Sequence, residues 1–301
     1  MDRDDFIIFV YCVVSEHYQA LTEHNKLRQR GFSPALTDEE AITIEICGEY
    51  FGIHEDKAIF GYFRKHYQAW FPALRDRTTF VRQAANLLSM KMLIQQRLVS
   101  ISGQADDACQ TIDTLPLPVC VYTRSQRDKC FKPEADYGYC AAKDMHYYGF
   151  KLGIRIARSG MITISPLLPA RPHDIQLLGD LLDGFFGLAL ADKGFIDAYR
   201  QQVWSQKGVQ IMTPSRKNMA AHAIPPEFKP YFKRWRKKVE TVISQLTERF
   251  AIERTRARDL WHYQSRIARK ILAHTVCVFI NLQLEAVMHL GNFSNRIHIK
   301  L

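Results

Sequence analysis

TIDTLPLPVC, residues 111–120, sets a single carboxylate, Asp113, inside a short apolar and β-branched run that continues through two prolines. Cys109 to Leu115 reads as a strand, and its composition reads as buried. A buried carboxylate with no partner costs several kcal/mol or is titrated until it is neutral. Asp113 therefore needs a cation, a hydrogen-bond network or a metal, and the rest of the chain must supply it.

Downstream, MHYYGFKLGIRIAR (145–158) and MITISPL (161–167) read as two strands around a tight turn at Ser159-Gly160. RPHDIQLLGDLLDGF is helical, with Ile175, Leu178, Leu181 and Leu182 on one side. GLALADKGF is a short buried strand ending at Asp192, IDAYRQQVWSQKG a helix, VQIMTP another strand, and from Tyr231 the chain is helical nearly to its end. This order predicts an α/β domain: a mixed five-stranded sheet with flanking helices, antiparallel strands first and crossover units afterwards.

Upstream, residues 1–101 read as an all-helical domain. LTDEEAITIEICGEYFG has Thr37 and Glu40 at capping-box spacing, and Gly52 ends the segment. DRTTFVRQAANLLSMKMLIQQRL reads with Phe80, Leu87, Leu88 and Met92 inward and Arg77, Arg82, Lys91 and Arg97 outward. Short helices with basic outer faces suit a helix-turn-helix-like domain that binds DNA ends, and equally a helical scaffold or dimerisation domain. SGQADD makes 102–107 the linker, so residues 108–301 form the second domain, with basic C-terminal helices.

The 41 Lys and Arg against 31 Asp and Glu leave a formal charge of +10, which favours polyanionic partners, nucleic acid first. From Glu227 to Lys270 there are 13 basic and 5 acidic residues, which accounts for most of that excess. Acids stand where a signal peptide needs basic residues, and the apolar runs at both ends are too short to span a bilayer. A cytoplasmic, nucleoid-associated protein with no membrane and no small-molecule partner is expected. The seven cysteines contain no C-x-x-C and read as reduced thiols.

Two further acids matter. Asp192 falls at the carboxyl end of a strand, where open α/β sheets gather ligands, although an aspartate before a helix also reads as a cap. Glu240 flanks a stripe of Val239, Ile243, Leu246 and Phe250, and alone it reads as an i, i+4 ion pair with Arg236. Together, Asp113, Asp192 and Glu240 are a hard-oxygen ligand set suited to two Mg²⁺ ions, for which Mn²⁺ would substitute, and to phosphoryl transfer. Lys233, Arg234, Arg236, Lys237 and Lys238 beside Glu240, Lys193 beside Asp192, and Arg124 and Arg127 in the 116–144 connection are candidates for gripping DNA phosphates.

IDTLPLPVC, HYYGFKLGIRI, ALADKGF and RWRKKVETVISQLTERF, in that order, resemble bacterial insertion-sequence DDE transposases, in particular the IS nine-eight-two group. The resemblance spans nearly the whole chain and implies an RNase H-like catalytic domain with Asp113, Asp192 and Glu240 as its three acids. It places Arg236 in the R-x-x-x-E signature, while Lys233 and Thr247 stand where related families carry Tyr and Lys or Arg. It implies cleavage at the ends of a mobile element, strand transfer into target DNA, and a homodimer that holds two ends together. A nuclease of the same fold that never joins strands, or a non-catalytic DNA-binding copy, is the alternative.

Overall fold

A computed structural model describes residues 1–24, 27–28, 32–132, 134–141, 143–214, 224, 228–291 and 299. The chain divides into two units: Met1–Ser102 with Leu246–Leu301, and Gly103–Gln245.

The second unit is a mixed sheet with helices. Strand β1 (Cys109–Val121) pairs antiparallel with β3 (Met145–Ile156), which also pairs with β2 (Asp136–Cys140) and with the short β4 (Ile162–Ile164) and β5 (Leu167–Pro169). On its other side β1 runs parallel to β6 (Gly187–Leu190), and β6 parallel to β7 (Val209–Met212), giving the order β2-β3-β1-β6-β7. The expected five strands thus become seven. The additional β2 lies in the segment read as a long loop, and MITISPL holds β4 and only the first residue of β5. Gly160, at φ +94°, makes the turn between β3 and β4.

Strand β1 also runs six residues beyond its expected end. Its parallel pairing with β6 stops at Thr111↔Leu190, while its antiparallel pairing with β3 continues through Pro116↔Lys151 and Pro118↔Gly149. With one edge free past Thr111, the strand accommodates prolines that lack an N–H. At this crossing Gly149 permits close backbone approach: a Cβ there would lie 2.3 Å from the Leu117 carbonyl oxygen. Helix α6 (Leu178–Leu182) puts Leu178, Leu181 and Leu182 into a core with Ile112, Phe185 and Phe195, while α7 (Ala198–Gln206) packs on β7. Helix α8 (Lys229–Ser244) lies on β1 and β6.

The helical unit contains α1 (Arg3–Thr22), α2 (Asp38–Tyr50), α3 (Asp56–His66), α4 (Arg77–Asn86), α5 (Leu88–Ile101) and α9 (Leu260–Gly291). The capping box forms as spaced, with Glu40 N–H donating to Thr37 and Thr37 N–H to Glu40. A break at Leu87 separates α4 from α5 and rotates the face that follows it. Lys91, expected outward, is consequently buried, and Met92, expected inward, is exposed.

Residues 246–301, expected with the second domain, belong instead to the helical unit. A buried ionic network explains why. Arg269 donates to Glu49 at 2.7 Å and to Asp56 at 2.7 Å, Lys270 donates to Glu49 at 2.8 Å, and Lys91 donates to Glu45 at 2.8 Å and to Ser265 at 2.7 Å. Leu260–Ala286 is long and apolar enough to cross a membrane, longer than the apolar run alone indicates, yet it is mostly buried and carries these paired charges as a core helix.

Candidate active site

The sheet register brings Asp113 and Asp192 together. Thr111 is opposite Leu190 in the parallel β1–β6 pair, and each aspartate lies two residues further along its own strand direction. Because side chains alternate with period two, the two carboxylates share one face at the carboxyl rim of β6. The negative charge of Asp192 acts directly on Asp113.

Asp113 is half-buried, and among the described residues its hydrogen-bond donor is the Thr114 N–H at 2.7 Å. Burial is the main force raising its carboxyl from the ordinary 3.8 to about 6; Asp192 and, more weakly, Asp174 add to it, while the Thr114 N–H and Arg236 oppose it. The pressure toward neutrality read from the sequence is therefore present.

Asp192 caps the short 3₁₀ turn Lys193–Phe195, its Oδ1 accepting from Lys193 N–H at 2.7 Å, so the capping reading also holds. The same Oδ1 accepts from Arg236 Nη1 at 3.1 Å. Arg236 is on α8, one turn before Glu240. It pairs with Asp192 across to the sheet rather than along the helix with Glu240, which overturns the i, i+4 reading. Phe232, Val239 and Val242 are the buried side of α8, and Val242 replaces Ile243 in the expected stripe. The helix passes into a π-turn, Gln245–Arg249, and Leu246 and Phe250 are buried but belong to the helical unit. At about 100° per residue, Glu240 lies on the same flank as Arg236, toward the edge facing Asp192. Its side chain is exposed, and among the described residues no three acids, histidines or cysteines stand together as a metal cluster. The structure thus assembles two of the three acids and sets the third one helical turn from the arginine that touches Asp192.

A fourth carboxylate, Asp174, belongs to this neighbourhood. Asp174 accepts from Lys151 Nζ at 2.7 Å, and its Oδ2 lies 3.0 Å from where a Cβ on Gly194 would be. Gly194 admits it over the turn that carries Asp192. Nothing local in RPHD announces this, because the contact is made by the crossover from β5 to β6.

Of the candidate DNA contacts, Lys233, Arg234, Lys237 and Lys238 are exposed on α8, with the Lys238 stem against Gly160. Lys193 is exposed directly after Asp192. Arg124 and Arg127 are exposed on the 3₁₀ turn Tyr122–Arg127 at the far end of β1.

Two adjacent carboxylates, one of them half-buried without a cation of its own, are the hard-oxygen donors a divalent metal takes. Asp113 and Asp192 would hold it.

The sequence model of the Transposase DDE domain family matches residues 103–260. No curated protein matches the chain. A cryo-EM structure of a piggyBac transposase synaptic complex with hairpin DNA aligns at 11% identity over 96% of this chain and 80% of that one, with a TM-score of 0.42. The family match covers more than half of the 301 residues, begins where the sheet unit begins and includes all three acids: this chain belongs to the DDE transposases, enzymes that generally use divalent metal ions.

Proposed function

We propose that the chain is an insertion-sequence transposase of the IS nine-eight-two type, with an RNase H-like catalytic unit that cuts the ends of its element and joins them to target DNA. The observation that carries this reading is the Arg236–Asp192 ion pair, which ties the glutamate helix to the strand-end acids. Asp113, Asp192 and Glu240 are the catalytic and metal-holding residues. Two bound Mg²⁺ ions would activate the attacking oxygen and stabilise the leaving one in each in-line displacement.

The protein's own groups do the rest. Asp113 gives up its proton to hold a cation, and because its pKa is raised to about 6 that step is favoured above that pH rather than above about 4. Arg236 keeps Asp192 and α8 in register. Lys233, Arg234, Lys237, Lys238 and Lys193 bind the phosphates flanking the scissile bond, and Arg124 and Arg127 extend that track. The helical unit binds the element ends, two copies act on two ends as a homodimer, and the reaction takes place on nucleoid DNA in the cytoplasm.

The test is incubation with duplexes carrying the inverted ends that flank the gene, with Mg²⁺ or Mn²⁺. End cleavage plus joined products is expected. Cleavage without joining identifies a nuclease instead, and salt-dependent binding with no metal-dependent product identifies a non-catalytic copy.

A further inference from the structure

A cleft of about 1040 Å³ lies wholly within the helical unit, between the first turns of α3 and α4 and the segment from Ala251 into α9. Its wall carries eight Lys and Arg against three Asp and Glu, and all three acids are already engaged. Asp56 accepts from Arg266 at 2.5 Å and from Arg269 at 2.7 Å. Glu55 lies 3.6 Å from Arg256, and Asp259 accepts from the His262 N–H at 2.8 Å as the cap of α9. Among the described residues, Lys57, Arg77, Arg82, Arg254 and Arg258 make no salt bridge, and all five are exposed. The first turn of α3, which has no side-chain cap, also lines the cleft and adds partial positive charge from its N–H groups.

The cleft is too large for a single small anion and too heavily cationic for an apolar ligand. Arginine forks match phosphate geometry, and a row of them over a rigid floor suits a polyanion backbone. The buried Arg269–Glu49 and Lys270–Glu49 pairs fix that floor.

We propose that this cleft of the helical unit binds the phosphate backbone of duplex DNA, with Arg254 and Arg258 on one wall and Arg77 and Arg82 on the other. The inference rests on the reading of the chain as a DNA-acting enzyme whose helical unit binds DNA, and it assigns that contact to this cleft and to these four arginines, separate from the carboxylates.

The test uses the full-length chain in EDTA, a mixed-sequence duplex of about 30 base pairs, and fluorescence anisotropy between about 50 and 200 mM salt. The R254A/R258A double variant is expected to bind at least about tenfold more weakly, with a log–log salt slope shallower by about 2. The charge-keeping R254K/R258K variant retains the wild-type slope. Wild-type affinity in the alanine variant, equal loss in the lysine variant, absence of duplex binding by wild type, or preference for single-stranded RNA of the same length would each overturn the proposal. Nicking of supercoiled plasmid by wild type in Mg²⁺ is scored separately. Its absence counts against the transposase reading and leaves the binding comparison intact.

Discussion

Asp113→Asn should make the metal-free protein more stable while abolishing its chemistry. Burial, aided by Asp192 and Asp174, raises the Asp113 carboxyl from 3.8 to about 6. Below the lower value the group is protonated in both folded and unfolded chains and has no effect on the balance. Between the two values the unfolded chain loses its proton first, and folding becomes progressively less favourable. Above about 6 both states are ionised and the folded state carries the full cost, about 3 kcal/mol as an upper bound. Asparagine removes the charge and keeps an oxygen for the Thr114 N–H. In EDTA at about pH 8 the variant should therefore melt about 5–10 °C above wild type, and the gap should close toward pH 4. Scanning calorimetry at both pH values reads this directly. A gap of equal size at the two pH values, or a loss of stability at pH 8, would refute the argument that Asp113 is a half-buried carboxylate awaiting a cation.

Other perturbations separate the roles of neighbouring groups. Arg236→Gln should change stability by less than about 1 kcal/mol, because both members of its ion pair are partly exposed, yet lower single-turnover plasmid nicking about tenfold or more; unchanged nicking would remove Arg236 from the site. Arg269→Ala should destabilise the helical unit by about 3 kcal/mol, since it breaks buried ion pairs to Glu49 and Asp56 and leaves them with Lys270 and Arg266, and urea denaturation followed by circular dichroism measures it. Gly149→Ala forces a Cβ to 2.3 Å from the Leu117 carbonyl and should cost at least about 2 kcal/mol by displacing β3 from β1, seen as early hydrogen exchange along both strands. Gly194→Ala brings a methyl to 3.0 Å from Asp174 Oδ2; it should leave the melting temperature nearly unchanged and reduce nicking, and equal nicking would place Asp174 outside the site.

The three acids stand out as candidates in the sequence because each breaks a local pattern: Asp113 in an apolar run, Asp192 at a strand end, Glu240 beside a stripe. What joins them was not legible. The shared face of Asp113 and Asp192 depends on the Thr111↔Leu190 register, a property of two strands nearly eighty residues apart. Asp174 reaches the site through a crossover, with no signal in its own neighbours. Prolines 116 and 118 read as the end of a strand, yet β1 continues because its second edge is free there. Arg269 and Lys270 read as surface charge on a basic C-terminal helix. Their acids, Glu45 and Glu49, lie more than 200 residues earlier, so the union of α9 with the N-terminal helices emerges only in three dimensions.

In the proposed site Asp113, Asp192 and Glu240 act together on metal, and Glu240, exposed one turn from Arg236, is its most exacting member. The deciding measurement is metal-dependent nicking of supercoiled plasmid by wild type, Asp113→Asn, Asp192→Asn and Glu240→Gln, with duplex binding in EDTA measured on the same preparations. Nicking by wild type alone, with DNA binding by all four, is the expected result. Nicking by Glu240→Gln at the wild-type rate would contradict it and leave the site with two acids in search of a third.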